Sequence, residues 1–523
     1  MDPVELNIFA SRLASVCDEM GAVLRNAAFS PNIRDRLDFS CAVFDPAGAL
    51  CAQAAHIPVH LGSMAYAMAD IVTRIDWAAG DQVILNDPYL GGTHLPDVTV
   101  IAPVFAADRL AGFVVNRAHH ADIGAAAPGS MPVSSRLDEE GLVIAPVHLV
   151  RAGHLQQGLL DEIVGATRNP AESAGDFSAQ LSANRAGAAR LGEMLAEYGP
   201  AGFETRLDAL NDYGERLARE ALRTLPDGEY RFEDWLDDDG QGSRDLPIRV
   251  CLRVADGAVS ANFDGTAGQV AGNVNCPLSV AAAAVYYALR CLMPPQTPAC
   301  AGTFRPIRLQ APAGCLLNAR PPAAVAAGNV ETSTRVVDAV LGALAQALPG
   351  RIPAASHGSM NNLAMGADQP GNRWDYYETV GGGMGAGAAG GGWSGVQTHM
   401  TNTLNTPVEV LETRFPVRVR RYALRAGSGG DGRVRGGDGL VREFEFLSPA
   451  RFTLLTERRR HAPWGLAGGA AGLRGRNLLN GRELPGKYHG DAAAGDRLVI
   501  ETPGGGGYGA ARYEDRGSRN EER

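Results

Sequence analysis

Between Asn86 and Asp122 the chain reads NDPYLGGTHLPDVTVIAPVF, a short turn, and then FVVNRAHHAD. Asp87, His94, Asp97, His119, His120 and Asp122 all fall in this stretch. Imidazoles and carboxylates together suit a borderline divalent cation such as manganese, zinc or iron(II). His94 and Asp97 stand three apart in a loop bounded by glycine and proline, where backbone turns can aim both side chains at one point. Val98 to Phe105 predicts a buried strand, Ala106-Ala107-Asp108-Arg109 its turn, and Phe113 to Asn116 a returning strand. His119 and His120 are thereby brought back to the end where His94 and Asp97 lie. Any one of these residues is equally at home capping a turn. Their convergence on one hairpin is what points to a metal site.

Other chemistry-bearing residues carry weaker signals. His56 and His60 are four apart, but Pro58 between them predicts extended chain, not helix. Both can still face one side, toward a substrate or toward each other. Arg34, Arg36 and Asp38 read as a solvated charged face. The run Asp237-Asp238-Asp239-Gly240 lacks the alternating ligands and distal glutamate of a calcium loop and reads as a solvated turn. GGGMGAGAAGGG, residues 381 to 392, contains a GxGxxG match at Gly385, Gly387 and Gly390. No helix start follows it, so it reads as a flexible or close-approach loop and not as a dinucleotide fingerprint. Lys487 is the sole lysine, and LPGKYHG around it lacks a phosphate-loop pattern. If ATP serves this protein, it binds elsewhere.

The elements that must position these residues are predicted as follows. Asp2-Pro3 starts an amphipathic helix over residues 4 to 26. A hairpin follows within RLDFSCAVFDPAGAL. Residues 63 to 77 read as helix, 81 to 85 as strand, 129 to 141 as a polar loop suited to a lid or a subunit contact, and 142 to 150 as strand. Helices follow over 159 to 167, 176 to 198 and 203 to 225, the first stopped by Arg168-Asn169-Pro170. From residue 228 the pattern turns to strands with Asp-Gly turns, interrupted by helices over 280 to 292 and 335 to 348 and by a strand over 307 to 309. The expected fold is a large mixed α+β chain: a helix-rich region over 1–228 carrying the metal-site β-hairpin, an intertwined glycine- and β-rich region over 229–510, and a disordered tail over 511–523.

The bulk composition narrows the functional classes. Of 523 residues, 45% are hydrophobic and 20% charged, enough for a sizeable core. A net charge of −10 without a basic stripe argues against nucleic acid as a partner. Eight scattered cysteines without a CxxC pair read as small buried hydrophobes. The acidic start MDPVELN is no secretory signal, and Leu278 to Met293, interrupted by Arg290, is short for a membrane span. A cytoplasmic protein is expected.

In order along the chain, RDRLDFSCAVFD, AAHIPVHLGSM, NDPYLGGTHLPDV, NRAHHADIG, FDGT, NVETSTR, HMTNTLNTPVEVLE, RFP, GGDGLVRE and TPGGGGYG resemble the hydantoinase B/oxoprolinase family over about residues 4 to 509. That family includes the alpha subunits of acetone carboxylases and related ketone carboxylases. The resemblance implies a hetero-oligomer in which a hydantoinase A-type subunit uses ATP to phosphorylate a lactam oxygen. The chain resembling this one then opens the ring of a hydantoin or 5-oxoproline. In the carboxylase branch it would instead join a ketone enolate to carbon dioxide, an alternative that the compact length here disfavours. Carried over residue by residue, the resemblance makes His94, Asp97 and His119 ligands of a divalent metal (manganese, zinc or iron). His120, Asp87 and Asp122 become acid–base or supporting groups, and His56, His60, Asn402, Glu409 and Glu412 weaker candidates for the substrate cleft. Two departures stand out: Gln397 where the family often has histidine in VHTHMTNT, and Gly391-Gly392 where Asp-Gly is common.

Overall fold

The computed structural model describes residues 1–54, 57–60, 62–369 and 372–511. His56 and the tail from residue 512 lie outside the described residues.

The first helix, Pro3–Ala27, starts as its sequence dictates: the Asp2 carboxylate accepts from the Val4 amide at 2.9 Å and Pro3 occupies the first turn. Its apolar stripe of Leu6, Phe9, Leu13, Val16, Cys17, Met20 and Leu24 is buried. It lies against a long helix, Pro170–Tyr198, with Phe9 edge-on to Tyr198 at 5.7 Å.

Both helices cover one face of a seven-stranded antiparallel sheet. In chain order its strands are β1 (Phe39–Phe44), β2 (Leu50–Ala54), β3 (Gln82–Leu85), β4 (Asp97–Ala106), β5 (Arg109–His119), β6 (Val147–Arg151) and β7 (His154–Leu155), and in space they run β2-β1-β5-β4-β3-β6-β7. Strand alternation sorts the side chains. Cys41, Val43, Ala102, Val104, Val114 and Ala118 pack under the helices, whereas Ala42, Phe44, Ile101, Phe113 and Val115 join a second core on the opposite face. That second core also holds residues of the helices Leu278–Arg290 and Ser333–Ala347, so it contains residues from both sides of position 228.

The described residues form three further sheets, giving an α+β fold. Gly228–Asp238, Arg244–Ala255, Ala258–Asn262 and Ile307–Gln310 form a four-stranded sheet. A four-stranded and a five-stranded sheet from the C-terminal part pack over Leu363, Met365, Phe444, Phe446, Phe452 and Leu498. No helix among the described residues is long and apolar enough to cross a membrane.

The expected elements are largely present, and the differences have physical causes. The helix after His60 spans Ser63–Ile71 and stops short of 77. The strand expected over 142–150 begins only at Val147, because the Asn86 side chain holds the Leu142 carbonyl and the Ile144 amide in place of a sheet neighbour. Arg36 and Asp38 are buried, not solvated: Arg36 donates to the Tyr377 carbonyl at 2.9 Å and lies 3.7 Å from Asp38. Asp237 and Asp239 are buried as well. Asp237 accepts from the amides of Arg459, Arg460 and His461, and Asp239 from those of Gln241, Ser243 and Gly272. Of the cysteines, Cys291 is exposed and Cys251 half-buried, while the other six are buried. Lys487 is fully buried in an ion pair with Glu457.

The glycine loop at 381–392 belongs to a stack of extended glycine segments. Gly437 donates to the Met384 carbonyl at 2.9 Å, Gly505 to the Gly437 carbonyl at 2.9 Å, and Gly430 to the Gly505 carbonyl at 2.8 Å. A Cβ at Gly437 would lie 1.9 Å from the Trp393 oxygen, and one at Gly505 2.0 Å from the Met384 oxygen. Only hydrogen side chains permit this approach. Gly390, by contrast, has nothing within 4 Å of such a Cβ. Gly437→Ala or Gly505→Ala is therefore expected to destabilise by more than about 3 kcal/mol, and Gly390→Ala to leave the midpoint unchanged. Urea unfolding of the three variants measures the difference.

Candidate metal centre

The β4–β5 hairpin sets the geometry. Asp97 opens β4 and His119 closes β5, and the two are directly paired in register. The turn between the strands is Ala107-Asp108, with Ala107 at a φ of 52°. His94 reaches the same point from the preceding loop, because the Asp97 amide donates to the His94 carbonyl at 3.1 Å and folds it back. Thr99, Arg117, Asp97 and His119 share one face of the sheet by alternation, while His120, beyond the strand, turns to the other face.

His94, Asp97 and His119 are all buried, and one ligand atom from each lies within 4.8 Å of the others. His94 Nε2 is 3.3 Å from Asp97 Oδ2, and His119 Nδ1 is 3.2 Å from Asp97 Oδ1. His94 Nδ1 donates to the Ala326 carbonyl at 3.3 Å, which leaves Nε2 as the free lone pair. His94 Nε2 and His119 Nε2 have no hydrogen-bond partner although both are buried. Two orphaned imidazole nitrogens beside a carboxylate fit a borderline divalent ion.

Electrostatics centres the group on the Asp97 charge. Burial lowers the His94 pKa most, but the Asp97 charge and contact, the Ala326 carbonyl and the Glu140 charge together outweigh it and the net shift is upward. Burial would raise Asp97, yet His94, His60 and the hydrogen bond from His119 hold its carboxyl well below the usual range. Asp97 is thus an anion in the interior. His119 shifts down, chiefly by burial.

Several residues that sequence reasoning passed over brace the cluster. Thr93 Oγ1 donates to Asp97 Oδ2 at 2.5 Å and Asn329 Nδ2 at 3.4 Å. Asn329 sits in a one-turn π-helix, Gly328–Thr332, a rare local form that recurs at functional sites. Its stretch, NVETSTR, is one of the family-like motifs. Tyr377 lies flat on His119, ring centroids 4.8 Å apart and planes 10° apart, with the Arg36 guanidinium over the Tyr377 ring at 4.8 Å. Nothing in the local sequence marks Tyr377. Glu140 accepts from the amides of Val325 and Ala326, fixing the loop whose carbonyl holds His94, and burial pushes its carboxyl up to about 7.

The other candidate residues are placed differently. His60 joins the cluster's edge, its Nε2 3.4 Å from Asp97 Oδ2. His120 Nε2 pairs with Gln180 Oε1 at 2.9 Å and packs against Phe177 under the Pro170–Tyr198 helix, away from the triad. Asp87 caps a 3₁₀ turn by accepting from the Tyr89 amide at 2.9 Å. Asp122 accepts from the Arg168 amide and guanidinium at 2.6 and 3.0 Å and from Ser130 Oγ at 2.9 Å. Asn402, Glu409 and Glu412 are exposed, Glu412 accepting from the Val419 amide at 2.8 Å. Gln397 donates to Thr379 Oγ1 at 3.2 Å in the wall beyond Tyr377.

The structure thus places a buried His/Asp/His cluster at the mouth of a hairpin in a large α+β chain. The chain belongs to the hydantoinase B/oxoprolinase family, whose model matches residues 2–511. It is 40% identical to 5-oxoprolinase 1 of Arabidopsis thaliana over 97% of this chain and 42% of that protein. It therefore spans about two-fifths of the length of that relative. It is 33% identical to a Pseudomonas protein named as the B component of a D-/L-hydantoinase, over 97% of this chain and 90% of the relative. Among solved structures it superposes on an ATP-dependent caprolactamase from Pseudomonas jessenii with a TM-score of 0.91 at 29% identity, covering 98% of this chain and 91% of that one. Acetone carboxylase shares the fold, with a TM-score of 0.86 at 18% identity over 97% and 76% of the two chains.

The Asp122 region makes a pH-dependent prediction. Asp375, nearly buried, has a carboxyl pushed up to about 8 by burial and then by the charges of Asp122 and Glu172, with Arg168 and Arg414 opposing. Its ordinary value is 3.8, so the folded chain holds a proton that the unfolded chain releases. The contribution is fully present below about pH 4 and is lost as pH rises through about 8. Asp375→Asn keeps a neutral side chain at every pH. Its melting temperature relative to the parent should rise progressively from pH 5 to pH 8.5 in a differential scanning series.

Proposed function

We propose that this chain is the B-type, non-ATP-binding component of an ATP-dependent cyclic-amide hydrolase. In this reading it opens a hydantoin or 5-oxoproline-type ring after a partner A-type chain has phosphorylated it. The observation that carries the reading is the buried His94/Asp97/His119 cluster with its orphaned nitrogens, in a chain of this family. The Pseudomonas relative, named as one component of a hydantoinase, supports a two-chain enzyme, and the ATP-dependent caprolactamase supports a lactam substrate.

His94, Asp97 and His119 would hold a divalent manganese, zinc or iron ion, which when bound lowers the pKa of water or polarises an oxygen. The remaining work falls to this chain's own groups. Ala326 fixes the His94 tautomer, and Thr93 and Asn329 hold the Asp97 carboxylate. Tyr377 and Arg36 hold the His119 ring from the opposite side. Burial of all three ligand residues keeps bulk water out and strengthens each charge interaction.

The test is to co-purify the chain with its A-type partner and follow ATP hydrolysis and ring opening on 5-oxoproline, hydantoins and caprolactam. Ring opening of at least one of them is expected, and His94→Ala or Asp97→Ala should lower the rate by at least about 100-fold while the complex still assembles. Turnover of the parent without ring opening, or with labelled bicarbonate entering an acid product, overturns the hydrolase reading in favour of the carboxylase alternative. Metal-replete activity in both alanine variants overturns the site.

A further inference from the structure

Asp97 Oδ2 has more neighbours than it has lone pairs. Thr93 Oγ1, His94 Nε2, His60 Nε2 and Asn329 Nδ2 all lie between 2.5 and 3.4 Å from it, while Oδ1 faces His119 Nδ1. A carboxylate oxygen offers about two acceptor sites. His94 has already committed Nδ1 to Ala326, so its Nε2 is a lone pair and not a donor to Asp97. Thr93 at 2.5 Å takes one site, which leaves His60 and Asn329, both at 3.4 Å, to share the other, and His60 has a support of its own.

His60 is 1% exposed, and its Nδ1 lies 3.1 Å from Ser40 Oγ. The Asp97 carboxylate can only accept, so the ring proton facing it sits on Nε2, and Nδ1 is left to accept from the Ser40 hydroxyl. The backbone beneath His60 is fixed as well. Ser63 Oγ reaches the Val59 and His60 carbonyls at 3.1 and 3.2 Å and accepts from Arg117 at 2.9 Å, and Arg117 Nε in turn donates to Thr99 at 2.9 Å. Ser40, Thr99 and Arg117 are on neighbouring strands at positions paired across β1, β5 and β4. The sheet therefore builds the support for His60 directly beside the strand pair that presents Asp97 and His119. His60 does not join the group of ligand atoms that lie within 4.8 Å of one another. It sits on the carboxylate and not at the position of an ion.

From this geometry we infer that His60, its ring held by Ser40, is a positioning residue that donates to Asp97 Oδ2 and turns the Asp97 carboxylate so that it can face an ion shared with His94 and His119. The inference rests on the proposed metal centre and adds a residue pair that no ligand pattern includes. Groups that orient a ligand in this way commonly govern metal affinity by 10- to 100-fold.

The experiment measures manganese(II) and zinc(II) affinity of the full chain by competition with a chromophoric chelator, with the manganese EPR spectrum and the melting temperature recorded alongside. His60→Ala is expected to weaken affinity by about 10- to 100-fold and Ser40→Ala by a smaller factor in the same direction. His60→Gln, whose amide nitrogen can reach the position of Nε2 and donate, should recover most of the loss. Equal affinity of parent and His60→Ala overturns the inference. So does a His60→Gln variant as weak as His60→Ala with its melting temperature unchanged, since that result marks His60 as a ligand. If His60→Ala does not fold, an unchanged affinity in Ser40→Ala is the overturning result. A parent chain that binds neither metal overturns the metal centre itself, and is told apart from failure of this inference because no variant is needed to see it.

Discussion

The site depends on one strand pairing. Asp97 and His119 face each other across β4 and β5, so the hairpin's register alone brings a carboxylate and an imidazole to the same place. A one-residue slip of either strand would turn its own side chain to the other face, into the layer where Gln180 and Asn184 dock the Pro170–Tyr198 helix onto the sheet. That layer shows how the register is held. Gln180 Nε2 donates to the Val98 carbonyl and Asn116 Oδ1, and Asn184 Nδ2 to the Val100 carbonyl. The amides of one helix thus read the backbone of the strands that carry the site.

Around that pair the interior tolerates an unusual density of charge. Arg36, Arg117, Arg335, Arg442 and Arg458 are among the largest fully buried side chains. Most are matched: Arg442 with Glu378, and Arg335 and Arg458 with Asp234 and Asp338. Arg117 differs. It donates to the uncharged Thr99, Ser63 and Gly91, and burial lowers it to about 10, with Asp97 acting in the opposite direction. The charge that opposes its desolvation is therefore Asp97, the same carboxylate that lies between His94 and His119. Fold stability and site electrostatics meet at Asp97.

How much of this was legible in the sequence follows from range. The hairpin, its turn and the return of His119 and His120 toward His94 and Asp97 were readable because alternation and turn residues act over a few positions, and the family resemblance singled out His94, Asp97 and His119 among them. Long-range partners were not. Tyr377 reaches His119 from a strand far along the chain, Asn329 reaches Asp97 from a π-turn, and the charges of Arg36 and Asp38 gave no hint of burial because their neighbours come from residues 377 to 379. His120 and Asp122 looked like ligands by type, but one belongs to a helix-docking contact and the other to an ion pair with Arg168. The glycine run was legible as a site of close approach. What it approaches, glycine runs from two distant segments around Gly437 and Gly505, was not.

The solitary lysine has a practical corollary. Lys487 is sealed in the interior against Glu457, and every other basic side chain is an arginine or histidine. Lysine-directed cross-linkers, biotinylation reagents and dyes consequently find no side-chain amine on the surface of the native protein. Side-chain tagging and surface mapping of any complex can instead use carboxylates, arginines or the exposed Cys291. Conversely, acquisition of an amine label at Lys487 would report that the interior beneath it has opened.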